Sequence, residues 1–388
     1  MKLASRMTRI GTETAFEVLA RARALEAEGQ EVIHLEIGEP DFPTPRHIVE
    51  AAYRAMLDGY THYGPAAGLP ELRRAVARYI SETRRLNVDP EQVIITPGGK
   101  PVIFFTVLAL VEPGDEVILP DPGFPIYESA VSFAGGTPVP VPLREERDFR
   151  LDVADIRARV NSRTRLIILN SPHNPTGSVL TPEDLAAIAD LAKQHDVYVL
   201  SDEIYSRIIY DARHHSIASL PGMADRTIIL DGFSKTYAMT GWRLGYGVFP
   251  PELVPGVTRL MVNSVSCTAT FVQLAGVAAL EGPQDCVDEM VAEFRRHRDF
   301  LVAALNDIPG ISCRQPQGAF YAFPSVKALP LSSRDFADRL LSDFGVAVLS
   351  GDAFGAAGAG YLRLSYANSL GNLERAVSRL RRAVEALS

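Results

Sequence analysis

The sequence predicts an α/β protein: a mainly parallel sheet covered on both faces by helices, with a smaller α+β domain beside it. Three observations predict it. Between about residues 90 and 250, short continuous apolar runs alternate with helical patterns, the signature of a parallel sheet buried on both sides. Polar residues cluster just after the ends of those runs, where open α/β sheets place their ligands. Finally, 388 residues with 47% hydrophobic and 22% charged composition exceed what one hydrophobic core usually serves, so a large domain and a companion are expected.

The strand candidates, in order, are VIITP (93–97), EVILP (116–120), LIILN (166–170), VYVLSD (197–202) and TIILD (227–231). Between the third and fourth, TPEDLAAIADLAKQHD reads as a helix. Thr181 suits its N-cap, Pro182 its first turn, and Glu183 and Asp184 the positive end of its dipole. Leu185, Ile188, Ala189 and Ala192 then share one face at i, i+3, i+4 and i+7. Further on, Val287–Asn306 and Leu373–Leu387 are helical, with GAFYAFP and YLRLSYA between them as strand candidates. The large domain is expected at 46–283, and residues 1–45 with 284–388 form the small one. Pro40, Pro43 and Pro45 are expected to interrupt any regular element in the N-terminal part.

Composition excludes several classes. The formal net charge of −8 argues against nucleic acid or an anionic membrane as partner. Three cysteines without a CxxC pair read as reduced thiols of a cytoplasmic protein. The start, MKLASRMTRIG, offers no signal-peptide core. The longest apolar run, Val102 to Val111, is far shorter than the roughly 20 residues that span a bilayer. No HExxH is present, and His214-His215 falls in a polar loop where a solvated pair is expected, so no metal site is indicated.

Of the 39 Lys and Arg, five are lysines: Lys2, Lys100, Lys193, Lys235 and Lys327. An amine can lose its proton and attack a carbonyl, which a guanidinium effectively cannot. Chance accounts for Lys2, Lys193 and Lys327. Lys235, by contrast, sits in Gly232-Phe-Ser-Lys-Thr-Tyr-Ala-Met-Thr-Gly-Trp-Arg-Leu-Gly245 after a strand, eight residues before Arg243. Asn170-Ser-Pro-His-Asn-Pro-Thr-Gly177 begins where LIILN ends, and Ser201-Asp-Glu-Ile-Tyr205 closes VYVL. Alone, each is a turn or a cap; together, at consecutive strand ends, they are specific.

On these motifs, and over nearly the whole chain from Ile37 onward, the sequence resembles the class I/II aminotransferases, fold-type I enzymes that use pyridoxal 5′-phosphate (PLP). The resemblance implies a PLP-transferase large domain and a set of roles. Lys235 forms the Schiff base with PLP and shuttles the proton, which needs an amine kept partly neutral by desolvation and nearby cations. Asp202 pairs with the pyridine nitrogen, and Tyr205 and Asn174 donate to the phenolic oxygen. Gly98, Gly99 and Lys100, opening a helix, hold the phosphate with Ser234 and Arg243; Gly232 stands where many relatives carry a phosphate-binding Ser. Phe124 stacks on the ring in place of the commoner Tyr or Trp. Arg363 and Gly38, with Asn174, hold the substrate α-carboxylate. Tyr63 reaches the neighbouring subunit's phosphate, which implies a homodimer with shared active sites.

Fold alone does not define the reaction. The set Asn174, Asp202, Tyr205, Lys235, Arg243 and Arg363 most resembles aminotransferases proper, exchanging an amino group between an L-amino acid and a 2-oxo acid by a ping-pong route. The alternatives are a carbon–sulfur β-lyase or other fold-type I enzyme, a strict aspartate aminotransferase, and a non-catalytic PLP-binding regulatory module, against which the acidic charge and the lack of a helix-turn-helix before residue 40 count. Glu13, in Ile10-Gly-Thr-Glu-Thr-Ala-Phe16, is expected to repel a substrate's distal carboxylate, favouring neutral, aromatic or cationic amino acids over strict aspartate. His173 is expected to satisfy a hydrogen bond in its turn.

Overall fold

A computed structural model of the chain describes residues 3–387. Lys2, one of the five lysines, lies outside the described residues. The N-terminal part carries a 14-residue helix, Thr14–Ala27, and a two-residue strand β1 (Ile33–His34), so regular structure does form within 1–45. The prolines at 40–45 act only after both elements have ended.

Seven strands then build the central sheet: β2 (Val93–Thr96), β3 (Glu116–Asp121), β4 (Thr137–Pro142), β5 (Thr164–Asn170), β6 (Tyr198–Asp202), β7 (Thr227–Gly232) and β8 (Gly245–Val248). Their order is β2-β8-β7-β6-β5-β3-β4. All neighbours are parallel except β8, which runs antiparallel to both β2 and β7. Side chains alternate between faces: Ile94, Leu166, Ile168, Ile228 and Leu230 pack into one core, while Ile95, Ile167, Leu169 and Ile229 pack on the opposite side. Both faces are dry, which is why the strands read as unbroken apolar runs. Two strands escaped sequence reading. β4 is TPVPVP, whose prolines are tolerated because it is an edge strand, and β8 is the short, glycine-rich GYGV.

The helix Pro182–Gln194 is capped by Thr181 and Asp184 in a reciprocal capping box, as its sequence indicates. Beyond the sheet, helices Asp285–Asn306, Ser333–Phe344 and Leu370–Glu385 surround short strands β9 (Tyr321–Ala322), β10 (Val346–Ala347), β11 (Leu349–Ser350) and β12 (Leu362–Ser365). β12 is central in a three-stranded sheet, with Ser365 opposite Tyr321 and Arg363 opposite Leu349. β1 pairs parallel with β10, so the N-terminal segment is stitched to the C-terminal part. A single core containing Leu35, Phe294, Phe320, Leu364 and Tyr366 unites them. Among the described residues, no helix is long and apolar enough to cross a membrane.

Candidate active site

The C-terminal ends of neighbouring strands deliver the polar residues to one place. Asn170 and Asp202 are register partners on β5 and β6, and Lys235 follows β7 by three residues. Asp202 is 4% exposed. Its carboxylate accepts hydrogen bonds from the Tyr127 hydroxyl at 2.6 Å and the Ile204 N–H at 3.2 Å. Burial nevertheless lifts its pKa to about 6. A carboxylate held this way gains most from a cationic partner, since an opposite charge offsets desolvation.

The Lys235 amine donates to the Gly38 carbonyl at 2.5 Å and lies 5.8 Å from the centroid of Phe320. Burial lowers its pKa to about 8; Glu39 opposes that, and Arg363, Arg243 and Lys100 reinforce it. The neutral amine is therefore far more accessible than that of an ordinary lysine, reaching about half of the population at pH 8. Desolvation leads, with the neighbouring cations adding to it.

Arg363, on β12, is 4% exposed. Its guanidinium donates to Asn174 Oδ1 at 3.2 Å and to the Glu36 carbonyl, and it stacks 4.5 Å over the Tyr321 ring and 5.0 Å from that of Phe354. Among the described residues it has no carboxylate partner, and its Nε is buried without an acceptor. Burial holds its pKa below the ordinary arginine value. A buried, forked guanidinium in contact with no carboxylate suits a carboxylate as ligand. Asn174 is positioned in turn by Asn170, whose side chain accepts the Asn174 N–H at 2.8 Å. Gly38 must be glycine here, because a Cβ would fall on the Tyr321 hydroxyl.

Gly98 (φ +88°) and Gly99 lead into the helix Lys100–Leu110, whose first N–H groups have no partner within the helix. A Cβ on Gly98 would overlap the Arg243 guanidinium, so the turn and Arg243 face the same space. Arg243 is anchored through the Thr240 carbonyl at 2.8 Å and itself sits in the left-handed region at φ +55°. Ser234 is buried nearby in sequence. This set, a backbone turn, a helix start, a hydroxyl and a guanidinium, suits a phosphate.

The Lys100 side chain does not turn toward the Gly98–Gly99 turn; it forms an ion pair with Glu13 and lies 5.6 Å over the Phe124 ring, leaving only its backbone N–H for an anion. Glu13 is thereby neutralised by Lys100, so simple repulsion of a distal carboxylate does not follow. Phe124 is half-buried and edge-on to Tyr127, with centroids 5.8 Å apart. His214 is not solvated: its side chain is 10% exposed and its Nε2 lies 2.9 Å from Glu203. His173, as expected, serves its turn through Thr176 at 2.9 Å, and burial lowers its pKa to about 3. Lys193 pairs with Asp190, and Lys327 bonds the Tyr361 hydroxyl. Tyr63 stands apart from the cluster, 89% exposed.

Sequence reading missed Tyr321, whose hydroxyl bonds that of Tyr205 at 2.8 Å, and Tyr127. Tyr321 lies in the strand candidate GAFYAFP and Tyr127 three residues after Phe124, but nothing local marks them. It also missed the buried cluster behind Asp202. There Arg84 donates to Glu203 (2.9 Å), Ser206 (2.7 Å) and Asp231 (2.7 Å). Glu203 also accepts from Ser201 and Ser216. Burial opposes the Glu203 charge, but His214 and Arg84 bring its pKa down to about 2. Burial leaves Asp231 at about 6 despite Arg84. Among the described residues no His, Cys, Asp and Glu cluster could hold a metal.

The family profile "Aminotransferase class I and II" matches residues 30–380. An aspartate aminotransferase of Pyrococcus abyssi is 44% identical over 92% of both chains. An aromatic-amino-acid aminotransferase of Thermococcus litoralis is 41% identical over 99% of both. The solved structure of an alanine aminotransferase from Pyrococcus furiosus superposes with a TM-score of 0.95 at 35% identity, covering 99% of this chain and 100% of that one.

Proposed function

Because the chain belongs to the class I and II aminotransferases, we propose that it binds PLP between β2, β6 and β7 and transfers amino groups between an L-amino acid and a 2-oxo acid in two half-reactions. The residues present fit the cofactor: a buried carboxylate short of a cation (Asp202), an anion cradle (Gly98, Gly99, Lys100 N–H, Ser234, Arg243) and a depressed amine (Lys235). When bound, PLP supplies an aldehyde that condenses with amines and a ring that accepts the electron pair of the substrate Cα.

The protein's own groups account for the rest. Arg363 and Asn174 take the α-carboxylate, orienting the substrate at Lys235. The Lys235 Nζ, about half neutral at pH 8, is placed to take the proton from the substrate Cα and would hand it to the cofactor's aldehyde carbon, beyond the bridging nitrogen. Asp202, sealed from water and oriented by Tyr127, keeps a proton on the cofactor's ring nitrogen. Tyr205 and Asn174 are donors to the cofactor's phenolic oxygen, and Phe124 covers one ring face. The observation that carries this reading is the convergence of Lys235 and Asp202, at the ends of neighbouring central strands, with Arg363 from β12 of the smaller sheet, whose charge reaches Lys235.

Relatives named for aspartate, aromatic amino acids and alanine support a substrate range that is not strictly aspartate. The exposure of Tyr63 together with Tyr53, Met56, Leu57 and Tyr60 supports a homodimer in which Tyr63 reaches the partner's phosphate. We assign the large domain to 46–283, the small one to 1–45 with 284–388, and the protein to the cytoplasm.

The test is a visible spectrum of the PLP-loaded protein with single amino acids and no oxo acid. Conversion of the cofactor band, restored by a 2-oxo acid, is the expected result. Release of pyruvate and ammonia without an acceptor would support the β-lyase instead. An unchanged band in Lys235→Ala would overturn the assignment of the lysine.

A further inference from the structure

Behind Arg363 lies a buried acid that the proposed chemistry does not use. Glu36 is wholly buried. Its backbone carbonyl accepts from Arg363, its Oε1 lies 2.8 Å from His34 Nδ1, and its Oε2 has no partner among the described residues. His34 is partly exposed and its Nε2 reaches Glu26, on helix Thr14–Ala27, at 3.1 Å. Its backbone carbonyl accepts from Asn368. The groups whose charges reach Arg363 are Glu36, Glu13, Tyr205 and Tyr321; those reaching His34 are Glu36 and Glu26.

We propose that Glu36 and His34 are a positioning pair for the substrate: Glu36 is the resting counter-charge of Arg363, and protonated His34 neutralises Glu36 when the substrate carboxylate binds. This rests on Arg363 as the carboxylate receptor. The reasoning is charge balance in a dry space. Before substrate, Arg363 and Glu36 offset one another without touching side chain to side chain. The incoming carboxylate adds a second negative charge beside Arg363, which a low-dielectric site resists unless a further cation compensates. His34 is that cation. Burial works against its charged form, but its hydrogen bonds to Glu36 and Glu26 carry its pKa above the ordinary histidine value, which favours the cation, and the proton is lost as the solution turns alkaline. There, Glu36 is left uncompensated and repels the substrate. The pair acts on binding, not on the proton transfer at Lys235.

The experiment measures KM for a 2-oxo acid, which has no titrating amine, in the second half-reaction from pH 6 to 9. The dissociation constant of 3-phenylpropionate, an unreactive carboxylate, is measured by calorimetry over the same range. In the wild type both constants rise about tenfold on going alkaline while kcat follows its own profile. Glu36→Gln flattens the rise and keeps both constants near their low-pH values. His34→Asn, at a partly exposed site, holds them at the high value throughout. Glu36→Gln retaining the wild-type rise, while Arg363→Gln weakens both constants, overturns the positioning pair and leaves the receptor standing. Arg363→Gln without effect on either constant overturns the receptor, and the pair with it.

Discussion

Arg84 sits under the site with one charge between two buried acids, and its removal gives a decisive measurement. Arg84, Glu203 and Asp231 are 5%, 1% and 2% exposed, so Arg84→Met strands two carboxylates in the interior. Breaking a buried pair from one side costs about 3–5 kcal/mol. The two acids do not share the loss equally. Glu203 keeps His214, Ser201 and Ser216; Asp231 keeps only the Gly232 N–H at 2.7 Å and Ser206 at 3.3 Å. Asp231 is the weaker member, already at about 6 in the intact protein. A folded pKa above the unfolded value means that the charged form opposes folding, and protonation relieves it as the pH falls through 6. The cost of Arg84→Met is therefore about 3–5 kcal/mol at pH 8. It shrinks to about 1–3 kcal/mol at pH 5, where Asp231 is neutral and mainly hydrogen bonds to Arg84 are lost. Urea unfolding of wild type and variant at the two pH values, followed by circular dichroism, reads the difference. A loss below 1 kcal/mol at both, or a larger loss at pH 5, would refute the reasoning. Because Glu203 and Asp231 already push Asp202 upward, the same variant should move the pH dependence of the bound cofactor's absorbance toward alkali.

Other expectations follow from the geometry. Gly98→Ala forces a Cβ into a left-handed turn and onto Arg243, so PLP should bind more than tenfold more weakly by equilibrium dialysis; unchanged affinity would remove that turn from the phosphate site. Tyr321→Phe leaves the buried Tyr205 hydroxyl without its 2.8 Å partner, a loss of about 1–3 kcal/mol that should appear in kcat/KM, with the cofactor absorbance shifted. Glu13→Gln frees the Lys100 cation, so the kcat/KM ratio of aspartate to phenylalanine should rise by about tenfold, equivalent to about 1.4 kcal/mol; a fall would place Lys100 outside the side-chain pocket. Since the Glu36 and Glu26 contacts hold His34 charged in the fold, their stabilisation is full below the ordinary histidine pKa and declines as pH rises past the folded value. Thermal melts of wild type and His34→Asn should therefore converge in alkali.

What could be read from the sequence alone was whatever short-range pattern decides. Five of the seven central strands declared themselves because both faces are buried, and the helix after Thr181 did so through its cap. Lys235, Asp202 and Asn174 could be nominated because strand ends and their following turns are written in consecutive residues, and Arg363 through the family resemblance alone. What only the tertiary structure decided is which charges meet. Glu13 and Lys100 are 87 residues apart and Arg84 and Asp231 147, while the Glu36 backbone carbonyl that accepts from Arg363 is 327 residues from it. The edge strand TPVPVP and the strand GYGV likewise depend on their neighbours for pairing. Ionisation and specificity follow from distances and burial in space, and a chain whose ends are stitched together by β1 and β10 brings residues into contact that no local window contains.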